Sequence, residues 1–153
     1  MIKYVNGDAT APQGDGKKVI VHCCNDLGAW GAGFVMAISR RWTTPYNDYR
    51  TVSKYVLGEV RFIPVEPDII VANMIGQHGI GRGENVFGII IPPIRYDAIR
   101  KALKTVNRYC LENQCTVHAP KFGSDLAGGD WNVIEQIIKE EIDVDVTIYN
   151  FVK

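Results

Sequence analysis

Val19-Ile-Val-His-Cys-Cys-Asn25-Asp-Leu-Gly28-Ala-Trp-Gly31-Ala-Gly33-Phe34 is an apolar run that ends in an Asn-Asp turn, passes three glycines and opens into a helical pattern. The Val, Ile and Cys content of Lys18 to Cys24 predicts a strand buried on both faces. From Gly33 to Trp42, the side chains Phe34, Ala37, Ile38 and Trp42 recur at helical spacing and share one face. Glycine lacks the Cβ that would hold other atoms away, so backbone N–H groups at such a junction can crowd onto an anion at the helix N-terminus. The junction reads as a cradle for a phosphorylated ligand. A second one, Phe122-Gly-Ser-Asp-Leu-Ala-Gly-Gly-Asp130-Trp131, again lies between an apolar strand and a helix. Two cradles suit a diphosphate.

The elements around them alternate. Ile2 to Val5 reads as a strand, and Thr44-Pro45 as an N-cap with proline at the first helical position of a short helix through Tyr55. Glu59 to Val65 and Ile69 to Ile75 read as strands joined into a hairpin by the turn Glu66-Pro67-Asp68, which makes the sheet mixed. Ile99, Leu103, Val106 and Cys110 give a helix over Tyr96 to Glu112, and Thr116 to Ala119 follows as a strand. Asp130 can cap a helix carrying Trp131, Ile134, Ile137 and Ile138 inward, before a last strand from Val144 to Phe151. Gly76 to Asn85 is glycine-rich and fits neither period, so it reads as a mobile loop. Six strands and about four helices in this order predict an α/β fold, a mixed sheet with helices on both sides.

With 153 residues, 46% apolar and 22% charged, the chain fits one globular domain over 1–153. Lys plus Arg balance Asp plus Glu at 17 each, so the molecule offers no net field for DNA or RNA and no basic stripe with interleaved aromatics. Cys23 and Cys24 are adjacent on a strand and would face opposite ways, and all four cysteines read as reduced thiols. His22, Cys23 and Cys24 cannot all face one ion, so no metal is expected. No leader and no membrane-length apolar run is visible, and the expectation is a cytoplasmic monomer without a cofactor.

Together with Val5-Asn-Gly-Asp-Ala-Thr10, the two loops resemble the macro domain, the family that binds ADP-ribose. The Gly-Ala-Trp-Gly-Ala-Gly-Phe and Leu-Ala-Gly-Gly-Asp-Trp runs are most similar to the branch holding ADP-ribose 1''-phosphate phosphatases and terminal ADP-ribose glycohydrolases. The resemblance spans nearly the whole chain and implies a three-layer α/β/α macro domain with a mixed six-stranded sheet. It implies ADP-ribose or ADP-ribose 1''-phosphate as ligand, with ADP-ribosylated protein as a further partner, and hydrolysis at the 1'' end.

The implied binding set is Asp8 and Ala9 with Tyr149 and Asn150 at the adenine, and Asn25 at the distal ribose. Gly28, Trp30, Gly31, Ala32, Gly33 and Phe34 would form the first cradle, and Gly123, Ser124, Asp125, Leu126, Ala127 and Gly128 the second. Taken by residue type alone, Asp8 is equally a turn residue bonding its own backbone, Tyr149 a core lid, and Asn25 a strand-ending turn residue. Asp125 stands where family loops usually have glycine; beside two phosphates it must point away or work on the distal ribose. The first-loop acid that many ADP-ribosyl hydrolases of this fold carry is missing from Gly31-Ala-Gly33-Phe34-Val35, and the lysine and second-loop aspartate of the terminal glycohydrolase type align with Gln77 and Ala127, so a lysyl adduct is not expected. The catalytic candidates are Asn25, His78 and Asp125, one of which would orient or deprotonate a water. A reader domain without turnover is the alternative.

Overall fold

The computed structural model describes residues 1–124 and 127–151. Its main sheet has six strands in the order β1 (Ile2–Asn6), β8 (Val146–Asn150), β7 (Cys115–Ala119), β2 (Lys17–Asn25), β4 (Ile69–Gln77), β3 (Val60–Glu66). All neighbours run parallel except β3 and β4, which form the antiparallel hairpin expected from the Glu66-Pro67-Asp68 turn. The helices are α1 (Phe34–Arg41), α2 (Thr44–Arg50), α3 (Tyr96–Asn113) and α4 (Trp131–Glu141).

The strand period of two distributes the core between both faces of the sheet. Val19 and Val21 of β2, with Ala72 and Met74 of β4, pack beneath Ile99, Leu103 and Val106 of α3 and Ile134 and Ile138 of α4. The alternate residues Ile20 and Val71 meet Ile38 of α1, and Cys24 and Ile75 meet Tyr49 of α2. Cys23 packs with the first group and Cys24 with the last, so the adjacent thiols do face opposite ways, and all four cysteines are free. Among the described residues no helix is long and apolar enough to cross a membrane.

Three local expectations need correction. The N-cap of α2 is Thr43, with Thr44 already helical and Pro45 inside the first turn, and the helix stops at Arg50 rather than Tyr55. Residues 76–85 are not one irregular loop: β4 runs on through Gln77, and Glu84 begins a second, two-stranded sheet of β5 (Glu84–Val86) and β6 (Ile89–Ile91). Phe87 and Gly88 join those strands with φ of 52° and 84°. Two positive φ angles give the reversed twist a two-residue hairpin needs, but phenylalanine is not a residue that advertises it. The hairpin projects from the body, and Phe87 is fully exposed.

The order of the strands positions the site. Leaving β2, the chain turns toward α1, α2 and the β3–β4 side; leaving β7, it turns toward α4 and β8. The two connections diverge from adjacent parallel strands, which opens a crevice at their carboxyl ends. Both glycine loops lie on that edge.

Candidate functional site

Both loops line one cavity of about 1250 Å³. Asn25, Ala29, Gly31, Ala32, Gly33, Phe34 and Val35 form one wall, and Pro120, Lys121, Phe122, Gly123, Ala127 and Gly128 another. Gln77 with Ile80, Gly81 and Arg82, then Pro92 and Pro93, close the third side. His22 and the two adjacent cysteines form the floor.

Backbone geometry supplies the donors. Gly33 precedes α1 with φ 83° and ψ −151°, a conformation essentially reserved for glycine, and no side chain caps the helix. The first-turn N–H groups of Phe34 and Val35 have no intrahelical acceptor, and both residues line the cavity. On the second loop Gly123 and Gly128 both have φ 75°, and the Gly129 N–H donates to the Gly123 carbonyl at 2.8 Å. A Cβ on Gly128 would come within 2.8 Å of Pro92, so the loop sits tightly against the β6–α3 connection. Every buried side-chain polar atom among the described residues has a partner. Free hydrogen-bonding capacity at this site therefore lies in its main chain and in the exposed Arg82 and Lys121 side chains.

Asn25 organises the first loop. Its Oδ1 accepts from the N–H groups of Leu27 at 2.9 Å and Ala29 at 3.0 Å, and from the Tyr49 hydroxyl at 2.9 Å. Its Nδ2 donates to the Ala29 carbonyl at 2.7 Å. An amide carries two N–H donors, so one remains for a ligand, and the side chain serves as turn former and cavity wall together. A register shift in the β2–β4 pairing at Cys24/Asn25 swings Asn25 opposite Gln77. Gly76 permits it, since a Cβ there would strike Ile99 and stand 2.7 Å from the Cys23 sulfur.

His78 takes a different place from the one expected. Its ring is absent from the cavity wall; Nδ1 lies 2.6 Å from Asp26 and Nε2 2.8 Å from Glu84, which also faces Arg95 at 3.6 Å. The hydrogen bond and charge of Asp26 raise the imidazole's pKa above its ordinary value. Burial resists ionisation of Asp26, but the Gly79 N–H at 2.8 Å and the His78 ring outweigh it and hold its pKa down. With both ring nitrogens facing carboxylates, His78 ties the segment after β4 to the β2–α1 loop rather than facing the ligand as a free base.

The remaining expected residues divide. Trp30 lies under the first loop, edge-on to His22 at 5.6 Å and bonded to Ser39, rather than on the cavity wall. Gly28, φ 79°, packs on Tyr55. Ser124 bonds the Lys121 carbonyl at 2.8 Å. Asp125 and Leu126 lie outside the described residues. Tyr149 is 3% exposed, its hydroxyl held between the Gln13 N–H at 2.8 Å and His118 at 2.7 Å, so its ring is a core lid rather than an open stacking face. Asp8 forms the turn its residue type allows, accepting from the Thr10 N–H and hydroxyl through Oδ1, while Oδ2 stands 3.9 Å from Arg41. The β1–β8 pairing sets Asn6 beside Asn150, and the Gly7 N–H donates to the Asn150 carbonyl, so Asp8, Ala9, Tyr149 and Asn150 cluster at β1 and β8, three and two strands away from β2.

Burial decides the ionisation of the floor. It lowers His22 to about 4 although the Asn73 Oδ1 accepts from its Nε2 at 2.5 Å, and it pushes Cys23 up to about 12. Un-ionised thiols are poor nucleophiles, and the His22 ring, 1% exposed and bonded to Asn73, serves as packing. Sequence reasoning missed Gln77, Arg82 and Lys121 as wall residues; the signal for Arg82 was a lone cation between two glycines, Gly81 and Gly83.

An α/β sheet with two glycine loops converging at the carboxyl ends of adjacent strands defines a phosphate-binding domain of the nucleotide-recognising type. The chain is 44% identical to the macrodomain protein of Streptomyces coelicolor, with 98% of this chain and 99% of that one covered and a TM-score of 0.82; it belongs to the macrodomain family. A structure of a protein of unknown function from Bacteroides thetaiotaomicron is 48% identical, with 99% and 98% coverage and a TM-score of 0.92. At 18% identity, the Trypanosoma brucei macrodomain in complex with ADP-ribose shares the fold, with 97% of this chain and 63% of that one covered and a TM-score of 0.64. No protein-family model matches the chain. Among curated relatives, it is 28% identical to the chromodomain-helicase-DNA-binding protein 1-like of Mus musculus, covering 92% of this chain but spanning only 16% of that protein. It is 24% identical to an ADP-ribose 1''-phosphate phosphatase of Candida albicans over 97% of this chain and 99% of that one.

Proposed function

We propose that this macrodomain binds ADP-ribose and removes the substituent from its 1'' position, converting ADP-ribose 1''-phosphate and water into ADP-ribose and inorganic phosphate, and ADP-ribosyl esters as a secondary activity. The observation that carries the reading is the convergence of both glycine loops on one cavity. The diphosphate would lie between the N–H groups of Phe34 and Val35 and those of the second loop. The adenine would then reach toward Asp8 and Ala9 at the ends of β1 and β8, and the distal ribose toward the free Asn25 N–H. The full-length similarity to a protein named ADP-ribose 1''-phosphate phosphatase supports the substrate. Four free cysteines suit a reducing, cytoplasmic setting.

In the reaction a water oxygen bonds to phosphorus, the bond from phosphorus to the 1'' oxygen breaks, and that oxygen takes a proton. Catalysis of this kind rests on placement and on dipoles fixed beforehand, which a wall of backbone donors provides. Asn25 would hold the ribose through its remaining N–H. His78 serves the site by fixing its loop. That leaves Asp125 as the acid-base candidate, argued from its place in the second loop's sequence.

A reader without turnover is the second reading, and one observation favours it: no described wall residue is a carboxylate. Incubation with ADP-ribose 1''-phosphate and with ADP-ribosylated protein, following inorganic phosphate and free ADP-ribose while ADP-ribose binding is measured, separates the two. Phosphate release supports the hydrolase; tight binding with no release from either substrate establishes the reader.

A further inference from the structure

The described part of the cavity wall carries charge of one sign. Among its described wall residues only Arg82 and Lys121 are charged, and they lie on different walls. Lys121 belongs to the second glycine loop and stands 5.8 Å above the Tyr4 ring. Arg82 belongs to the segment after β4, the strand whose last residue, Gln77, pairs with Asn25. In the proposed pose, with the distal ribose at Asn25, that sets Arg82 on the distal-ribose side of the diphosphate and away from the cluster around Asp8.

The loop holds Arg82 in a defined place. On one side His78 is tied to Asp26 at 2.6 Å and donates its backbone N–H to the Pro93 carbonyl at 2.7 Å. On the other side Glu84 reaches His78 at 2.8 Å and Arg95 at 3.6 Å. The carboxylate nearest in sequence is thus already engaged, and among the described residues Arg82 forms no ion pair. Gly81 and Gly83 flank it with φ of 75° and 104°, and a Cβ on Gly83 would collide with the Ile91 carbonyl. The chain therefore enters and leaves Arg82 through two bends that only glycine makes without strain, with the base of the β5–β6 hairpin closed behind it. An exposed arginine on a pinned loop, facing a cavity and without a carboxylate partner among the described residues, has the geometry for a charge-assisted fork to a tetrahedral oxyanion.

Resting on the proposed function, we infer that Arg82 is the specificity-determining residue for the 1'' substituent: its guanidinium receives the phosphate of ADP-ribose 1''-phosphate and so favours that ligand over ADP-ribose with a free 1'' hydroxyl. Lys121, on the opposite wall, belongs to the diphosphate and serves both ligands equally.

The test titrates ADP-ribose and ADP-ribose 1''-phosphate into the wild-type chain and into Arg82→Ala, Arg82→Lys and Lys121→Ala by calorimetry. Phosphate release is followed in the same samples, and kcat/KM replaces Kd wherever the ester is consumed. Arg82→Ala should weaken recognition of the 1''-phosphate by about tenfold or more while costing far less with ADP-ribose. Arg82→Lys should restore part of that difference, because it keeps the charge and loses the fork. Lys121→Ala should weaken both ligands by the same factor. Equal losses for both ligands in Arg82→Ala, or no loss, would overturn the assignment while leaving the proposed function standing. A wild-type chain that binds neither nucleotide would overturn both.

Discussion

Replacing Asn25 by alanine separates the two jobs the structure gives this side chain. The truncation removes the acceptor of the Leu27 and Ala29 N–H groups and the donor to the Ala29 carbonyl, so three backbone groups of the loop lose their partner. Tyr49 keeps a bond, because its hydroxyl also donates to the Asn25 main-chain carbonyl at 2.7 Å. At a net worth of about 1 kcal/mol per bond, the loss is about 3 kcal/mol. For a domain of this size, at roughly 2–4 °C per kcal/mol, the melting temperature should fall by about 6–12 °C. The same loop carries Gly31 and Gly33 into α1, so ADP-ribose affinity should drop by at least about tenfold, the worth of one or two well-placed hydrogen bonds. Asn25→Asp is the companion variant: it keeps the acceptor and gives up only the bond to the Ala29 carbonyl. It should melt closer to wild type, yet bind no better than the alanine variant, since it places a negative charge in the cavity proposed to hold the diphosphate. Differential scanning calorimetry and isothermal titration read both quantities. An Asn25→Ala protein that melts within about 1 °C of wild type and binds ADP-ribose equally well would refute the reasoning, because single losses of this kind are expected to exceed the ±0.5 kcal/mol typical of neutral surface changes.

Other outcomes follow from the same geometry. Gly33→Ala forces a Cβ into φ 83°, ψ −151° and should cost about 1–3 kcal/mol of stability together with most of the ADP-ribose affinity, read by thermal melting and titration. Asp125→Ala should abolish phosphate release from ADP-ribose 1''-phosphate while retaining nucleotide binding; full activity in this variant would remove Asp125 from the mechanism. His22 is neutral and buried with its pKa lowered to about 4, so the folded state binds fewer protons than the unfolded one below the ordinary value near 6.5. Its contribution is complete above pH 6.5 and should erode by about 3 kcal/mol as the pH falls to 4, and His22→Gln should flatten that slope in melts taken across the range. Phe87 touches solvent on all sides, so Phe87→Ser should leave the melting temperature within about 2 °C of wild type.

The parts of this molecule that could be read from its sequence were those governed by local chemistry. The uninterrupted apolar run of β2 required helices on both faces, Glu66-Pro67-Asp68 required a hairpin, and Asp130 caps α4 by accepting from the Asn132 N–H at 2.9 Å. The glycine loops could be read because glycine spacing reports directly where backbone turns and approaches a neighbour, and both loops do line one cavity. What escaped depended on partners distant in the chain. Nothing local to His78 says that Asp26 and Glu84 will take both of its ring nitrogens. Nothing local to Tyr149 says that Gln13 and His118 will close over its hydroxyl. The β5–β6 hairpin was hidden behind a Phe-Gly turn, where the expected turn residues would have been Asn-Gly or Asp-Gly. Arg82 was passed over because a cation in a glycine-rich loop acquires meaning only once that loop is seen to border the cavity.

The central claim is that two glycine loops, separated by most of the chain, grip a single diphosphate. A crystal structure of the protein soaked with ADP-ribose tests it most directly. Diphosphate oxygens should lie within hydrogen-bonding distance of the Phe34 and Val35 N–H groups on one side and of the 123–128 loop on the other, with the adenine beside Asp8. A nucleotide held by only one of these loops, or seated elsewhere on the molecule, would contradict it.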